Sequence, residues 1–406
     1  MKPIVRSLAP PPLLAGTLAF GLAIALWASP ALALTSGTAS NTAIQNTATV
    51  AYNDAGGAVQ TPVPASSTIT VALVASAPNI SASTPASPVS STPSATVTLT
   101  YTITNTANGP DSYTLTTGVT QTNITGSTAT PNPAAAFTLG ASSLAATYTA
   151  GAATVTVPWD GSLTTDTTAI NGLRVGSVIV IGGSTCTITS ISKSASTLAN
   201  NVAVIGVSTG GAGGACGAGA LNAVVPEQKT VTVTVNTGSL TVGNNSGTDV
   251  VTLTGTGSGP AGSSPATTIN VTRPALTVTK LVQVDPGGAA GTCAGTFGAI
   301  ASGPPGATLC YKVTATNGGA GAATAVQFTD VVPVYLTYVN GSGKFATAAA
   351  TPYGTAGGLT EGLGGYSYTP GTTTVNYNPG GATGTVAGTV PGPAGVLVLF
   401  FKATIN

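Results

Sequence analysis

The sequence contains no histidine, and its only methionine is Met1. Without histidine, a Ser–His–Asp triad cannot form, and a zinc site completed by histidine is excluded as well. Charged residues are also scarce, at 5% of the 406 residues, against about 25% in an ordinary globular protein. The lysines and arginines are scattered and form no basic cluster of the kind that binds phosphate backbones. Nucleic acid is therefore not an expected partner.

The few acidic residues are too dispersed to form a catalytic pair. Acid–base catalysis needs two positioned titratable groups, and no two acids lie within four positions of each other. Asp160 and Asp166 come closest, and we interpret them as turn and loop acids and not as the carboxylate pair of a glycosidase. A structural Ca²⁺ site at these two residues is the alternative. The sequence therefore predicts a protein that is not an enzyme, with no metal site and no cofactor.

Long apolar runs are confined to the N-terminus. Residues 13–27 are apolar, Lys2 and Arg6 precede them, and an Ala-Leu-Ala cleavage pattern follows at 31–33. A membrane-spanning helix needs about 20 apolar residues, so we favour a cleaved signal peptide over residues 1–33 and not an uncleaved membrane anchor. The mature chain is then expected to be extracellular or on the cell surface, with no transmembrane segment.

Four cysteines are present, and an even number in an exported chain indicates disulfides. Four cysteines allow three pairings. The nearest-neighbour pairing, Cys186–Cys216 and Cys293–Cys310, keeps each bridge within one predicted domain. No CxxC spacing occurs, which argues against a zinc site.

Threonine, valine, alanine, serine and glycine are abundant and are arranged with a period of two. The clearest run, residues 95–105, has Val97, Leu99, Tyr101 and Ile103 alternating with threonines, which is typical of a strand with one buried face. Glycine, proline, asparagine and aspartate separate such runs at turn positions. Many short strands separated by turns predict an all-β fold of antiparallel sandwiches.

The distribution of strand-like runs along the sequence divides residues 34–406 into three regions. Residues 34–75 contain two strand-like runs and are predicted to be an N-terminal β arm. Residues 76–272 are predicted to form a first β-sandwich with an inserted β subdomain at about 150–220. Residues 273–406 are predicted to form a second β-sandwich.

Three segments of the second predicted sandwich read as successive strands of one repeat unit. Residues 274–280 read PALTVTK, residues 307–319 end in an Asn-Gly turn, and residues 326–333 end in Asp-x-x-Pro. These segments resemble the conserved-repeat family of bacterial and archaeal surface proteins that is catalogued as domain of unknown function eleven. Residues 95–117 resemble a diverged copy, and residues 45–52 resemble a strand that commonly ends or precedes such repeats. The resemblance implies tandem immunoglobulin-like sandwiches in surface assemblies and no catalytic residue.

The arm needs a docking partner, because two strands alone are marginally stable in water. It can complete a sheet as an edge strand of its own first sandwich, or it can be donated to the next subunit. Head-to-tail donation does not close and therefore gives a fibre. The residues predicted to form the assembly strand are Ile44, Ala48, Val50, Ile69, Val71 and Leu73.

The run at residues 396–405 is apolar on both faces. Val398 and Phe400 lie on one face, and Leu399 and Phe401 lie on the other. Strands of this kind are normally covered on both sides. We therefore predict that this C-terminal strand contacts a neighbouring domain or another subunit.

These features favour a self-assembling structural subunit of a cell-surface filament or coat, with copies of itself as partners and strand donation by the arm. The alternative is a monomeric surface adhesin or carbohydrate-binding module. Its ligand platform for a glycan or surface ligand would be Trp159, the only tryptophan after residue 33, since aromatic faces bind flat apolar surfaces. The competing interpretation is that Trp159 packs under the inserted subdomain.

Overall fold

The structure is a computed structural model that describes residues 37–162, 165–193, 202–363, 365–379 and 388–406. The predicted signal peptide lies outside these ranges. The described residues form strands, turns and three single-turn 3-10 helices at Gly211–Gly213, Gly288–Ala290 and Tyr353–Thr355, so the prediction of an all-β fold is confirmed. Within these ranges, no helix has the length and apolar character needed to cross a membrane.

The strands follow one another in five groups along the chain. The arm contributes β1 (Ala43–Val50) and β2 (Val63–Thr70). The next group is β3 (Asn79–Ile80), β4 (Val89–Ser91), β5 (Thr96–Thr104), β6 (Asp111–Thr122), β7 (Ile124–Thr125), β8 (Thr128–Asn132), β9 (Phe137–Leu139) and β10 (Ala141–Ser143). The third group is β11 (Thr154–Pro158), β12 (Ala169–Ile170), β13 (Leu173–Arg174), β14 (Val178–Ile181), β15 (Ser184–Ser192) and β16 (Val202–Val207).

The chain then returns to the first sandwich and ends in the second. The fourth group is β17 (Val224–Asn236), β18 (Ser239–Leu240), β19 (Ser246–Thr256), β20 (Gly262–Ser263) and β21 (Thr267–Thr272). The last group is β22 (Leu276–Asp285), β23 (Thr308–Asn317), β24 (Phe328–Val331), β25 (Leu336–Tyr338), β26 (Lys344–Ala346), β27 (Gly357–Gly358), β28 (Tyr366–Thr369), β29 (Thr374–Tyr377) and β30 (Gly395–Ile405).

The first sandwich packs a sheet containing β3, β5 and β17 against a sheet in the order β4-β21-β19-β6-β9. The alternation along β5 sets this core, because Leu99, Tyr101 and Ile103 are buried while the threonines between them are not. Val233 of β17 and Leu253 of β19 complete the same cluster. Hydrophobic side chains with period two thus form the inner layer of each sheet.

The inserted strands extend the first sheet and build a core of their own. The order β11-β16-β15-β14-β17 joins them to the sandwich through the pairing of Ile179 with Glu227. Their separate core includes Val155, Ile205 and the disulfide Cys186–Cys216, whose Cα atoms are 5.0 Å apart. The predicted pairing of these cysteines is confirmed.

The second sandwich packs the sheet β22-β23-β30-β26-β27 against the smaller sheet β24-β29-β28. Its core contains Val313, Val375 and Leu399. The second disulfide, Cys293–Cys310, has a Cα separation of 6.0 Å and lies on the opposite side of the larger sheet. This pairing, too, is confirmed.

The C-terminal strand is a central strand and not an assembly surface. β30 pairs with β23 on one side and with β25 and β26 on the other. Leu399 and Phe401 face the sandwich core, and Val398 and Phe400 face a second cluster. That second cluster is covered by loops of the same sandwich, which contribute Phe297, Tyr353, Ala356 and the Cys293–Cys310 bridge. The prediction of a neighbouring domain or second subunit is therefore wrong, because the chain's own loops provide the cover.

A buried ion pair lies in this second cluster. Lys402 of β30 and Asp285 of β22 are almost inaccessible, and Lys402 Nζ lies 2.8 Å from Asp285 Oδ2. Lys402 also donates to the carbonyl oxygens of Ala289, at 3.2 Å, and Gly291. Burial raises the pKa of Asp285, but the hydrogen bond from Lys402 and those from the backbone N–H groups of Gly287 and Cys293 lower it further, and the net direction is down. The Asp285 carboxyl group is therefore ionised at neutral pH and is held by these hydrogen bonds.

Candidate assembly surface

The arm is a β-hairpin that belongs to no sandwich sheet. β1 and β2 pair antiparallel over their whole length, with Ile44 opposite Ile69 and Val50 opposite Val63. They form a separate two-stranded sheet. Among the described residues, the arm is therefore not an edge strand of its own first sandwich.

One face of the hairpin is mainly apolar and exposed. The register places Ile44, Ala48 and Val50 on the same face as Ile69, and the pairs Ala48–Ala65 and Val50–Val63 extend it. The polar pair Asn46–Ser67 lies on this face between them. The exposed fractions of Ile44, Val50 and Ile69 are 49%, 63% and 68%. The opposite face carries Gln45, Thr47, Thr49, Ser66 and Thr68.

Only one charged residue occurs in the described part of the arm region, residues 37–75. Asp54 lies in the turn beyond β1, where its Oδ1 accepts hydrogen bonds of 2.9 Å from the N–H groups of Gly56 and Ala58. The predicted assembly residues Val71 and Leu73 continue the alternation of β2 beyond Thr70; Val71 is half-buried and Leu73 is exposed. Exposed apolar patches on soluble proteins often belong to interaction sites, so this face is the candidate assembly surface.

The base of the hairpin is fixed to the first sandwich. The Asn108 side chain donates to the carbonyl oxygens of Thr38 and Ala72, both at 3.2 Å, and accepts from Val74 N at 2.7 Å. The Asn108 carbonyl accepts from Ser40 N at 2.8 Å. Ser40 packs so closely on Gly109 that a Cβ there would lie 1.7 Å from Ser40 Oγ. The arm therefore projects from an anchored root.

The two outer edges of the hairpin differ. Val71 N donates to Thr42 O at 2.9 Å and Val71 O accepts from Asn41 N at 2.8 Å, so the backbone of Val71 faces β1. Backbone direction alternates along a strand, so the outward groups of β2 belong to Pro64, Ser66, Thr68 and Thr70. Pro64 has no N–H and blunts that edge.

The outer edge of β1 differs from that of β2. The register of the hairpin points the backbone N–H and C=O groups of Gln45, Thr47 and Thr49 outward. None of these is proline, so every outward N–H is present. β1 therefore offers the edge that can pair with a further strand.

Trp159 does not form an exposed platform. Its side chain is half-buried against the core of the inserted strands, and its indole N–H donates to Ser162 O at 2.8 Å. Tyr353 and Tyr366, which lie in the loop-rich part of the second sandwich, are buried. Tyr353 and Tyr366 thus pack inside the second sandwich, and Trp159 packs partly against the inserted core.

Asp160 and Asp166 lie around a lysine. Lys193 Nζ is 3.5 Å from Asp166 Oδ2 and 2.5 Å from Ser162 Oγ, and the Ser162 hydroxyl donates to Asp160 Oδ1. The arrangement is a cluster in which Lys193 forms an ion pair with Asp166 and is linked to Asp160 through the Ser162 hydroxyl.

One group of potential metal ligands occurs among the described residues. The ligand atoms of Asp285, Cys293 and Cys310 lie within 4.8 Å of one another. The two sulfurs are joined in a disulfide and the carboxylate binds Lys402. Metal ligation by cysteine needs thiolates, so this group is structural.

Comparisons with known proteins find similarity only among solved structures. No family model matches the sequence, and no curated protein matches it. The C-terminal domain of the Streptococcus agalactiae AgI/II polypeptide BspA has 11% identity and a TM-score of 0.31, over 80% of this chain and 91% of that one. The C-terminal domain of the Streptococcus pyogenes antigen I/II-family protein AspA has 11% identity and a TM-score of 0.27, over 81% and 91%. The collagen adhesin of S. aureus has 11% identity and a TM-score of 0.19, over 81% and 80%.

Similarity at these TM-scores carries no inference about function. The resemblance to the conserved-repeat family likewise stays a prediction from the sequence. What the molecule does must be argued from its own surface.

Proposed function

We propose that this protein is a structural subunit of the cell exterior that assembles with copies of itself through the arm. The observation that carries the proposal is the anchored hairpin with an exposed apolar face. A two-stranded hairpin without a covering layer is marginal in water, yet here Ile44, Val50 and Ile69 are left uncovered. Association of subunits would cover them.

Covering this face favours association. Fully burying an aliphatic side chain contributes about 1.5–3 kcal/mol, and the side chains of Ile44, Val50, Val63 and Ile69 are about half exposed or more. Backbone pairing along the outer edge of β1 would add hydrogen bonds between subunits. Low charge favours the same outcome: loss of the predicted signal peptide, with Lys2 and Arg6, leaves 8 basic and 9 acidic residues and hence weak self-repulsion.

The cysteines support a location outside the cell. Both bridges are formed, and disulfides persist mainly in oxidising compartments. Together with the predicted signal peptide, they favour an exported protein. The adhesin alternative has less support, because Trp159 is engaged with the inserted core.

Purified residues 34–406 test this proposal. We expect the protein to form filaments or ordered sheets above a critical concentration, visible by negative-stain electron microscopy and as a fast-sedimenting species in the ultracentrifuge. A single monomeric species at every concentration up to the solubility limit, in buffers that keep both disulfides oxidised, would contradict self-assembly.

A further inference from the structure

The second sandwich has an unpaired edge at the start of β22. The inner edge of β22 pairs with β23 along its whole length, from Leu276 opposite Asn317 to Asp285 opposite Thr308. On the outer edge, Val282 exchanges hydrogen bonds of 2.8 and 3.0 Å with Gly298. The backbone of Val282 therefore points outward, and so do the N–H and C=O groups of Leu276, Val278 and Lys280.

No described residue pairs with this part of the edge. Residues 276–280 are all exposed, whereas the loop that carries Gly298 covers the edge from Val282 onward. Five residues span about 17 Å. The open stretch is therefore long enough to pair with most of a strand of the size of β1.

The side chains of Leu276 and Val278 lie on the core side of the sheet, but no other side chain of the described residues covers them. Val278 lies opposite Ala315, which lies opposite Leu397, and both of those residues are buried in the sandwich core. Leu276 and Val278 are nevertheless 43% and 65% exposed. The core of the second sandwich is thus incomplete at its β22 edge.

We propose that the β22 edge of one subunit accepts β1 of the next subunit as a parallel strand. This inference rests on the proposed function and adds the acceptor to it. Donor and acceptor are different surfaces, the arm rooted on the first sandwich and the edge on the second. The contact is therefore head-to-tail, and successive copies form a fibre unless the rotation closes a ring.

The parallel orientation follows from which residues of each edge strand point their backbone N–H and C=O groups outward. Residues directly opposite each other on neighbouring strands place their side chains on the same face of a sheet. In an antiparallel pair, outward residues meet outward residues, so Val278 would lie opposite Gln45 or Thr47. In a parallel pair, a residue that bonds to the neighbouring strand lies opposite a residue whose N–H and C=O groups point away from it. The side chain of Val278 would then lie on the same sheet face as those of Ile44, Ala48 and Val50.

Only the parallel pairing continues the apolar face of the acceptor. It places the apolar face of the hairpin beside Leu276 and Val278, and the threonine face beside Thr277 and Thr279. An antiparallel pairing would set polar residues on the core side and leave Ile44 in water.

Charge does not oppose this docking. The β1 strand has no charged residue, and Asp54 in the turn is the single charge of the hairpin region. At the acceptor, Lys280 lies 2.6 Å from Asp330 and within 4.9 Å of the Tyr311 ring centre, so its charge is already paired. The incoming strand therefore desolvates no unpaired charge.

A proline in the acceptor edge tests the docking. Val278→Pro removes an outward N–H and places a ring against the incoming strand, while it deletes no hydrogen bond between β22 and β23. We expect the critical concentration for assembly to rise at least about tenfold, equivalent to about 1.4 kcal/mol per contact. The control Val278→Thr keeps the N–H and the branched shape and is expected to change it less than about threefold.

Cysteine pairs test the orientation. Protein carrying Val278→Cys is mixed with protein carrying either Ala48→Cys or Thr47→Cys, assembled, and then oxidised. Cross-linking through Ala48→Cys supports parallel pairing, and cross-linking through Thr47→Cys alone would overturn it. Cross-linking between two arms that each carry Ile69→Cys, with none to β22, would show that arms stack on each other and would overturn the acceptor.

The outcomes separate the acceptor from the assembly itself. If Val278→Pro assembles like the parent protein, with an unchanged melting temperature, the acceptor is wrong while self-assembly stands. If the parent protein itself never assembles, the proposed function fails. A Val278→Pro variant that loses assembly and keeps the parent's melting temperature supports the acceptor, because its fold is then intact.

Discussion

Replacing the arm with a two-residue turn is expected to leave a folded, soluble monomer that no longer assembles. Thr42 and Val71 already share a backbone hydrogen bond of 2.9 Å, so an Asn-Gly turn can join them in place of residues 43–70. The root contacts of Asn108 remain. Since β1 and the apolar face are removed together, we expect no filaments at concentrations 100-fold above the parent's critical concentration, as judged by sedimentation and negative-stain microscopy.

Paired substitutions distinguish the two faces of the arm. Ile44→Thr with Ile69→Thr removes one cross-strand apolar pair and is expected to weaken assembly about tenfold or more. The matched control, Gln45→Thr with Thr68→Ser, alters the polar face and is expected to have little effect. Filaments from the turn variant, or equal effects of the two double variants, would contradict a role for the apolar face.

Breaking the buried pair of Lys402 and Asp285 is expected to destabilise the second sandwich strongly. Lys402→Met leaves the Asp285 carboxylate buried without its counter-charge, and removal of one partner from such a pair typically costs about 3–5 kcal/mol. Asp285→Asn instead leaves the Lys402 ammonium group buried without its carboxylate partner. The double variant Lys402→Met with Asp285→Leu is expected to recover much of the loss, because neither charge remains.

The pH dependence of this loss has a definite sign. The pKa of Asp285 is lower in the folded state than in the unfolded state, so the pair stabilises the fold above the unfolded value of about 3.9. This stabilisation is lost as the pH falls from the unfolded-state pKa of Asp285 through its lower folded-state pKa. Urea unfolding should therefore show a larger difference in stability between Lys402→Met and the parent at pH 7 than near pH 2.5. A difference below about 1 kcal/mol at pH 7 would show that the pair is not important.

Periodicity in the sequence was sufficient for the fold class and for the faces of single strands. The alternation of Leu99, Tyr101 and Ile103 with threonines predicted the inner face of β5, and the even cysteine count together with proximity in sequence predicted both disulfides. In the arm, periodicity placed Ile44 with Val50 and, separately, Ile69 with Leu73. It did not give the register that unites these residues on one face, because register depends on the turn.

The parts that sequence reasoning missed depend on long-range packing. The two-sided apolar pattern of Leu399 and Phe400 showed that β30 must be covered, but not that loops carrying Phe297 and Tyr353 cover it. The Lys402–Asp285 pair had one weak signal: the alternation of β30 places Lys402 on the same face as Val398 and Phe400. The sequence does not reveal the open edge of β22. That edge is open because the loop carrying Gly298 pairs with β22 only from Val282 onward.

Hydrogen exchange on the assembled protein tests the central claim most directly. We expect the outward amides of β1 at Gln45, Thr47 and Thr49 to exchange rapidly in the monomer and to become strongly protected on assembly. The outward amides of β2, at Ser66, Thr68 and Thr70, are expected to stay rapid in both states, because that edge remains free. Unchanged exchange at the β1 amides in an assembled sample, or full protection of them already in the monomer, would contradict strand donation by the arm.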